Sequence, residues 1–566
     1  MARPNTGPTT GPDTGTVTPA ELKAMLHDGS ELALLDVREN GRFGDRHLLY
    51  ACSLPFSRLE LRLAALVPRR SARVVLCDEA DGLAERAAQR LAGFGYSGVH
   101  VLAGGIQGWH AAGYELFSGV NVPSKAFGEA VEHQCHTPSI SATELKALVD
   151  RGEKLVILDS RPLDEFRAMS IPGGVNCPGA ELVYRVGGLA PGPDTLVVVN
   201  CAGRTRSIIG AQSLINAGIP NPVVALRNGT MGWHLAGLAL DRGAARTAPA
   251  PSPKALSEAQ ARAAQVARRY GVKTADAQTV AAWRREPHRT LYVLDVRSPE
   301  EYAAGHLPGA ACAPGGQLVQ ATDTTVATRG ARIVLVDDTN VRAIMTASWL
   351  VQMGWDSVWV LKDAMQDAPL ETGQPAASVL GGKIPGAAEL EPEALSAALA
   401  KGSAKAGTQG GTHGGTHGGT VTVDLATSLE YKAGHIPGAW FCVRSRFGKS
   451  LARIPQAAAP STAVVLTSPD GLLARVAASD AAQALGRPVQ VLRGGTRAWQ
   501  ARGLPLTSGA EHLADTPDDV WLRPYDREQG QEAAMKDYLC WEVDLVGQVE
   551  RDGDTRFKIV APSAAQ

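Results

Sequence analysis

The chain has 566 residues, in which 56 Lys and Arg face 57 Asp and Glu. So even a balance leaves no general electrostatic footprint for nucleic acid or an anionic membrane. No apolar run approaches the roughly 18 residues of a membrane span, the opening MARPNTGPTTGPDTGT lacks the apolar core of a signal peptide, and eight cysteines are too sparse for a disulfide scaffold. Composition therefore predicts a soluble cytoplasmic protein with neither nucleic acid nor a membrane among its partners.

A polar tail over 1–16 is expected to be disordered. It gives way to the first of four similar units, spanning 17–118. That unit opens with TPAELKAML, a helix capped by Thr18 with Pro19 in its first turn. An apolar strand then ends in LLDVREN (Asp36, Arg38), a turn runs over Arg46–Ala51, and Cys52 precedes Pro55. A second apolar strand ends at Cys77 and the acidic DEADG, and AGGIQGW places Trp109 after a Gly-rich turn. The same order returns in 137–242 (ILDSRPLDEF with Asp159 and Arg161, Cys177 before Pro178, RNGTMGW with Trp233). A Pro/Ala linker and an Ala/Arg-rich helix over Leu256–Tyr270 fill 243–272. The third unit, 273–367, has Asp295, Arg297, Cys312 and GHLPGA, but its Gly-rich turn has decayed to LKDAMQD. The fourth, 383–508, has Asp424, GHIPGA, Cys442 and RGGTRAW, with Ala426 where the Arg should be. Its insert GGTHGGTHGGT carries His413 and His417, which flexible Gly/Thr repeats do not preorganise for a metal. In 509–566, Trp521, Tyr525, Tyr538 and Trp541 suggest an apolar helical extension packing on a neighbour. Such periodicity marks tandem repeats, and short apolar strands alternating with amphipathic helices predict α/β domains, each a mainly parallel sheet flanked by helices.

The most informative stretch is LVVVNCAGRTRS in the second unit, where an apolar strand runs into Cys201 and a Gly/Arg-rich loop opens a helix that ends at Gly218. Backbone N–H groups and a helix N-terminus converging on sulfur favour a thiolate, and Arg204 and Arg206 add positive charge, so the site suits a sulfur nucleophile and an anion together. Aligned on the residue that starts the following helix (Ala84, Ser207, Ala343, Ala474), the units carry Asp78, Cys201, Asp337 and Ser468 at one position. Only the second unit has sulfur there. Cys77, one residue earlier, is a candidate second thiol, although a one-residue offset at a strand end turns a side chain to the other face. Cys177 is a candidate resolving thiol for Cys201. No CxxC pair appears, so no metal site and no cofactor is implied.

The loop and the repeated units resemble the rhodanese (sulfurtransferase) family, which implies four tandem rhodanese-like domains followed by a helical extension. The resemblance implies that Cys201 takes a sulfane sulfur from a small anionic donor of thiosulfate type, holds it as a persulfide and passes it to a thiol, cyanide or protein acceptor. Ala202, Gly203, Arg204, Thr205, Arg206 and Ser207 would bind the donor. The backbone N–H groups of Ala202–Arg206 would cradle the persulfide, and Arg204 or Arg206 would bind the leaving group, with an anchoring role as the alternative for Arg206. Asp159 and Arg161 read as a structural pair, whereas Tyr184 and Arg185 are candidates for the pocket rim. Units one, three and four would be catalytically silent. A persulfide relay or interaction scaffold, in which they bind partners, is the alternative. The related phosphatase and arsenate reductase loops have one residue more before their Arg, at the place where Ser207 stands.

Overall fold

The computed structural model describes residues 15–366, 368–374, 379–381, 387–407 and 419–561. Of the tail expected to be disordered over 1–16, residues 1–14 lie outside them, as do His413 and His417, but its last two residues belong to the edge strand Gly15–Val17, which the pairing with Gly98–Leu102 orders. The same five-stranded parallel sheet occurs four times. In the second unit its strands are Ser139–Ile140, Leu155–Asp159, Val175–Asn176, Leu196–Asn200 and Val223–Leu226, in spatial order first, fifth, fourth, second, third. The other three sheets repeat that order, and the first gains an antiparallel edge pairing, Thr328–Arg329 of the third unit against Leu32–Ala33.

Local sequence explains where the helices begin. Thr18, Ser141, Ser298 and Thr427 each cap a helix and exchange hydrogen bonds with a glutamate three residues on, satisfying donors that a bare helix end leaves open. The strands are apolar on both faces because helices cover both, and residues such as Leu158, Val197, Val198 and Val199 are fully buried.

The Asp–Arg signature at the end of each unit's second strand is a buried fork. Arg161 Nε and Nη2 donate to the two carboxylate oxygens of Asp159 at 2.9 and 2.7 Å, and Nη2 also donates to the Met169 carbonyl at 2.6 Å. Arg38 and Arg297 do the same with Asp36 and Asp295. In the first three units the fork fastens the turn that follows to the strand end. The fourth unit keeps Asp424 without its arginine. One carboxylate oxygen accepts only the Ala426 N–H and the other is buried without a partner. Burial therefore pushes its pKa up to about 6.

The units pair two by two across buried arginines. Arg342 of the third donates to Glu181 of the second at 2.9 Å, and Arg444 of the fourth donates to both oxygens of Glu60 of the first at 2.6 and 2.8 Å. The helix Pro253–Tyr270 buries Ala259, Ala263 and Val266 in the core it shares with the second and third units. A connecting helix, Val122–Cys135, joins the first two units, and the C-terminal helix Gln531–Asp552 lies along it. Leu545 and Val549 close a core with Phe117, Val122 and Ala126.

Asp424 yields a stability test. The folded protein keeps this proton up to about pH 6, whereas an unfolded chain releases it near pH 4. Its stabilising contribution is thus complete at pH 4 and lost as the pH rises through 6. Asp424→Asn should remove about 2–3 kcal/mol of that pH dependence, read as a smaller difference between denaturation midpoints at pH 4.5 and 7.5, and an unchanged difference would contradict the assignment.

Candidate active site

The register of the second sheet positions the candidate nucleophile. Asp159 pairs with Asn200 at the carboxyl ends of neighbouring strands, and Cys201 is the first residue beyond. Ligands of open α/β sheets bind at this end. The Asn200 amide donates to Asp159 Oδ2 at 2.9 Å, so the Asp–Arg fork also steadies the residue before the cysteine. From above, the Gly229 turn pins the loop: Thr230 N–H donates to the Cys201 carbonyl at 2.8 Å and Met231 N–H to that of Ala202 at 3.0 Å. A Cβ at Gly229 (φ +54°) would come within 2.2 Å of the Cys201 oxygen, so only glycine allows the approach.

The four aligned positions have one geometry and different occupants. Asp78 accepts the N–H groups of Ala80 and Ala84 at 2.8 and 2.9 Å. Asp337 accepts those of Asn340 and Arg342 at 2.6 and 2.9 Å, and that of Ala343 at 3.4 Å. Ser468 Oγ accepts that of Ala474 at 3.3 Å. The loops of the other three units thus fill their own N–H cradles with oxygen. In the second unit Cys201 Sγ takes that place, 3.5 Å from Ser207 Oγ, while the Ser207 N–H donates to the Arg204 carbonyl at 3.1 Å.

Cys201 is buried, and a cavity of about 330 Å³ opens onto it. Ala202, Gly203, Arg204, Thr205 and Arg206 line that cavity, while Ser207 stands behind the sulfur. Gly203 has ordinary backbone geometry. Its value is space, because a Cβ there would meet Met231 Cε at 2.9 Å and Glu542 Oε2 at 3.1 Å. Thr205 packs against Gly128 of the connecting helix, and its hydroxyl is buried without a partner.

Both arginines hold carboxylates already. Arg204 donates from Nε and Nη2 to the two oxygens of Glu129 at 2.8 and 2.7 Å and also reaches Glu132. Arg206 donates to both oxygens of Glu165 at 2.9 and 2.8 Å, and to Gln317 Oε1 of the third unit at 3.0 Å. Such forks are strong and specific, so the anchoring alternative is the geometry found for Arg206, and Arg204 shares it.

The other candidate thiols are not brought to this cavity. Cys77 is fully buried at its strand end among Val75, Leu102 and Trp109, and burial together with Asp36 pushes its pKa well up. Cys177 is buried with Leu158 and Leu182, its pKa also pushed up by burial. Tyr184 and Arg185 face away from the cavity: the ring of Tyr184 lies 4.5 Å from the Arg342 guanidinium carbon, and Arg185 binds Glu181 and the Ala248 carbonyl.

One electrostatic expectation needs correction. The Cys201 thiol lies above its ordinary pKa, because burial outweighs the pull of Arg206 and Ser207 toward the thiolate, and the nearby Glu542 carboxylate adds to the rise. The burial comes from residues the loop sequence does not contain. Trp521, Tyr525, Tyr538 and Glu542 of the C-terminal segment form one wall of the cavity and Lys125 of the connecting helix another. Lys125, Glu129 and Glu132 recur at helical spacing in VPSKAFGEAVEHQC, the only signal by which they were open to detection.

A profile of the rhodanese-like domain matches residues 18–112, 141–236, 276–367 and 413–502. The chain belongs to the rhodanese-like domain family. The rhodanese fold extends to a close whole-chain likeness: the crystal structure of a thiosulfate sulfurtransferase from Pseudomonas aeruginosa matches with a TM-score of 0.90 at 48% identity, over 96% of this chain and 100% of that one. A single unit also resembles an HTH-type transcriptional regulator from Mycobacterium tuberculosis, 34% identical over 106 residues, 19% of this chain. The chain spans only 46% of that regulator. Among the described residues no helix is long and apolar enough to cross a membrane, and no three metal-ligating side chains converge.

Removing the Glu542 charge should lower the Cys201 pKa. Glu542→Gln is expected to speed alkylation of Cys201 by iodoacetamide at pH 7 by about threefold to tenfold, the effect of losing one neighbouring like charge. Peptide mapping of the alkylated site gives the rate, and an unchanged or slower rate would contradict the proposed influence of Glu542.

Proposed function

We propose that this rhodanese is a sulfurtransferase that moves a sulfane sulfur from a small anionic donor of thiosulfate type, through a persulfide on Cys201, to a thiol, cyanide or protein acceptor. The observation that carries this reading is the occupancy of the four cradles: three hold the protein's own oxygen, and one holds a thiol facing a cavity. The whole-chain likeness to a thiosulfate sulfurtransferase supports the donor class. In the transfer, the Cys201 thiolate attacks the outer sulfur of the donor. The donor's sulfur–sulfur bond breaks with its electron pair on the departing sulfite, and the loop N–H groups stabilise the charge left on the persulfide. The thiol proton leaves to solvent before the attack. A reducing, cytoplasmic setting fits a chain whose eight cysteines are all unpaired.

The silent units support the second reading of a multi-domain relay only in part, because their visible work is local. Gln317 of the third unit braces Arg206, and Leu429 of the fourth borders the cavity. They complete the pocket of the active copy.

Thiocyanate formation from thiosulfate and cyanide tests the proposal. The native protein should turn over, and Cys201→Ser should lose at least about 1,000-fold, since serine carries no sulfane sulfur. Substantial residual turnover in Cys201→Ser, or none in the native protein from any anionic donor, would overturn the single-site reading.

A further inference from the structure

The cavity over Cys201 contains a cation that donates no hydrogen bond to a carboxylate and has only a long ion pair with Glu542. Arg204, Arg206 and Arg523 each donate hydrogen bonds to carboxylates, those of Glu129, Glu165 and Asp526 respectively. Lys125 has no such bond. Its side chain is 3% exposed, and the nearest carboxylate, that of Glu542, stands 4.0 Å away, beyond hydrogen-bond reach. The ammonium is held instead by ring faces, with Nζ 4.5 Å from the centroid of Trp541, 4.6 Å from Tyr538 and 5.5 Å from Trp521. Cation–π contact offsets part of the desolvation of a buried charge, yet it leaves three N–H donors without an acceptor. Two other polar atoms of the same walls are buried without partners, Thr205 Oγ1 and Glu542 Oε2. A cavity of about 330 Å³ with unsatisfied polar groups on its walls is built for a small polar guest.

Resting on the sulfurtransferase reading above, we infer that Lys125 is the residue that binds the sulfonate end of the donor and the sulfite that leaves, and so sets the preference for anionic donors. The two loop arginines position the loop through their carboxylates instead. Lys125 lies on the connecting helix and is fixed by aromatic residues of the C-terminal segment, so donor recognition is assembled from outside the rhodanese unit that holds the thiol. Glu542 works against the anion and keeps the affinity moderate, which allows sulfite to depart.

Charged and titratable groups face Lys125 from each side. Glu542 and Tyr538 belong to the C-terminal helix, Arg206 to the helix after the loop, Asp323 to a turn of the third unit, and His47 to the first unit. Burial lowers the Lys125 pKa to about 8. Its charge, and with it anion binding, is therefore lost as the pH rises through 8.

Thiosulfate binding to the Cys201→Ser protein, measured calorimetrically, isolates this step from chemistry. Adding Lys125→Gln should weaken the affinity at pH 7 by about 10- to 100-fold, the loss expected for a hydrogen bond to a charged group, while adding Glu542→Gln should leave it equal or tighter. Adding Lys125→Arg instead keeps the charge and should abolish the fall in affinity above pH 8, and it serves as the readout if the glutamine variant does not fold. Unchanged affinity in Lys125→Gln, or equal weakening by Lys125→Gln and Glu542→Gln, would reduce Lys125 to a structural partner of Glu542 and overturn the inference. If Cys201→Ser binds no thiosulfate although the native protein loads sulfur from it, the Lys125 site fails and the proposed function stands. If the native protein does not load from thiosulfate, it is the thiosulfate-type reading that fails.

Discussion

Backbone N–H groups gathered at the end of a parallel strand and the start of the next helix must be satisfied, and every unit of this protein is organised around that demand. A buried donor left unpaired costs of the order of 1–3 kcal/mol, and each loop presents more than one. Asp78 and Asp337 meet the need with carboxylates that turn back into their own loops. Ser468 meets it with a hydroxyl. These loops are stable as they stand and have no cradle left for an anionic sulfur. In the second unit the same place is held by Cys201, whose sulfur is a weak hydrogen-bond acceptor as a thiol and a strong one as a thiolate or persulfide.

Charge near that cradle is arranged to hold shape first and to bind anions second. Fixing Arg204 on Glu129 and Arg206 on Glu165 gives the loop two rigid forks. Burial outweighs the remaining pull of Arg206, and the thiol sits above its ordinary pKa despite the helix behind it. Enclosure by the C-terminal segment has a compensating effect, because electrostatic interactions are stronger in a partly buried site than in bulk water. The silent units contribute through this enclosure and through buried ties such as Arg342 to Glu181.

Much of this was legible in the sequence because it is local. The capping residues Thr18, Ser141, Ser298 and Thr427 sit three residues from their glutamates, and the Asp–Arg fork joins residues two apart. The relation between Cys201 and Ser207, and between Asp78 and Ala84, spans a single loop, so counting back from the helix start finds it. What escaped depends on distant segments. Glu129 reaches Arg204 from the connecting helix, and Glu542 and Tyr538 reach the loop from the far end of the chain. No periodicity within LVVVNCAGRTRS reports that its arginines are already partnered. The aromatic residues of the C-terminal segment did announce a packed helix, but not that it lies over the thiol.

The central claim is that sulfur resides on one cysteine of eight. Site-resolved mass spectrometry of the native protein after exposure to thiosulfate, without reductant and with every cysteine-containing peptide quantified, tests it most directly. One added sulfur atom is expected, confined to the peptide that carries Cys201 and discharged on adding cyanide. Stoichiometric sulfur on Cys77 or Cys177, or loading that persists when Cys201 is replaced by serine, would contradict it.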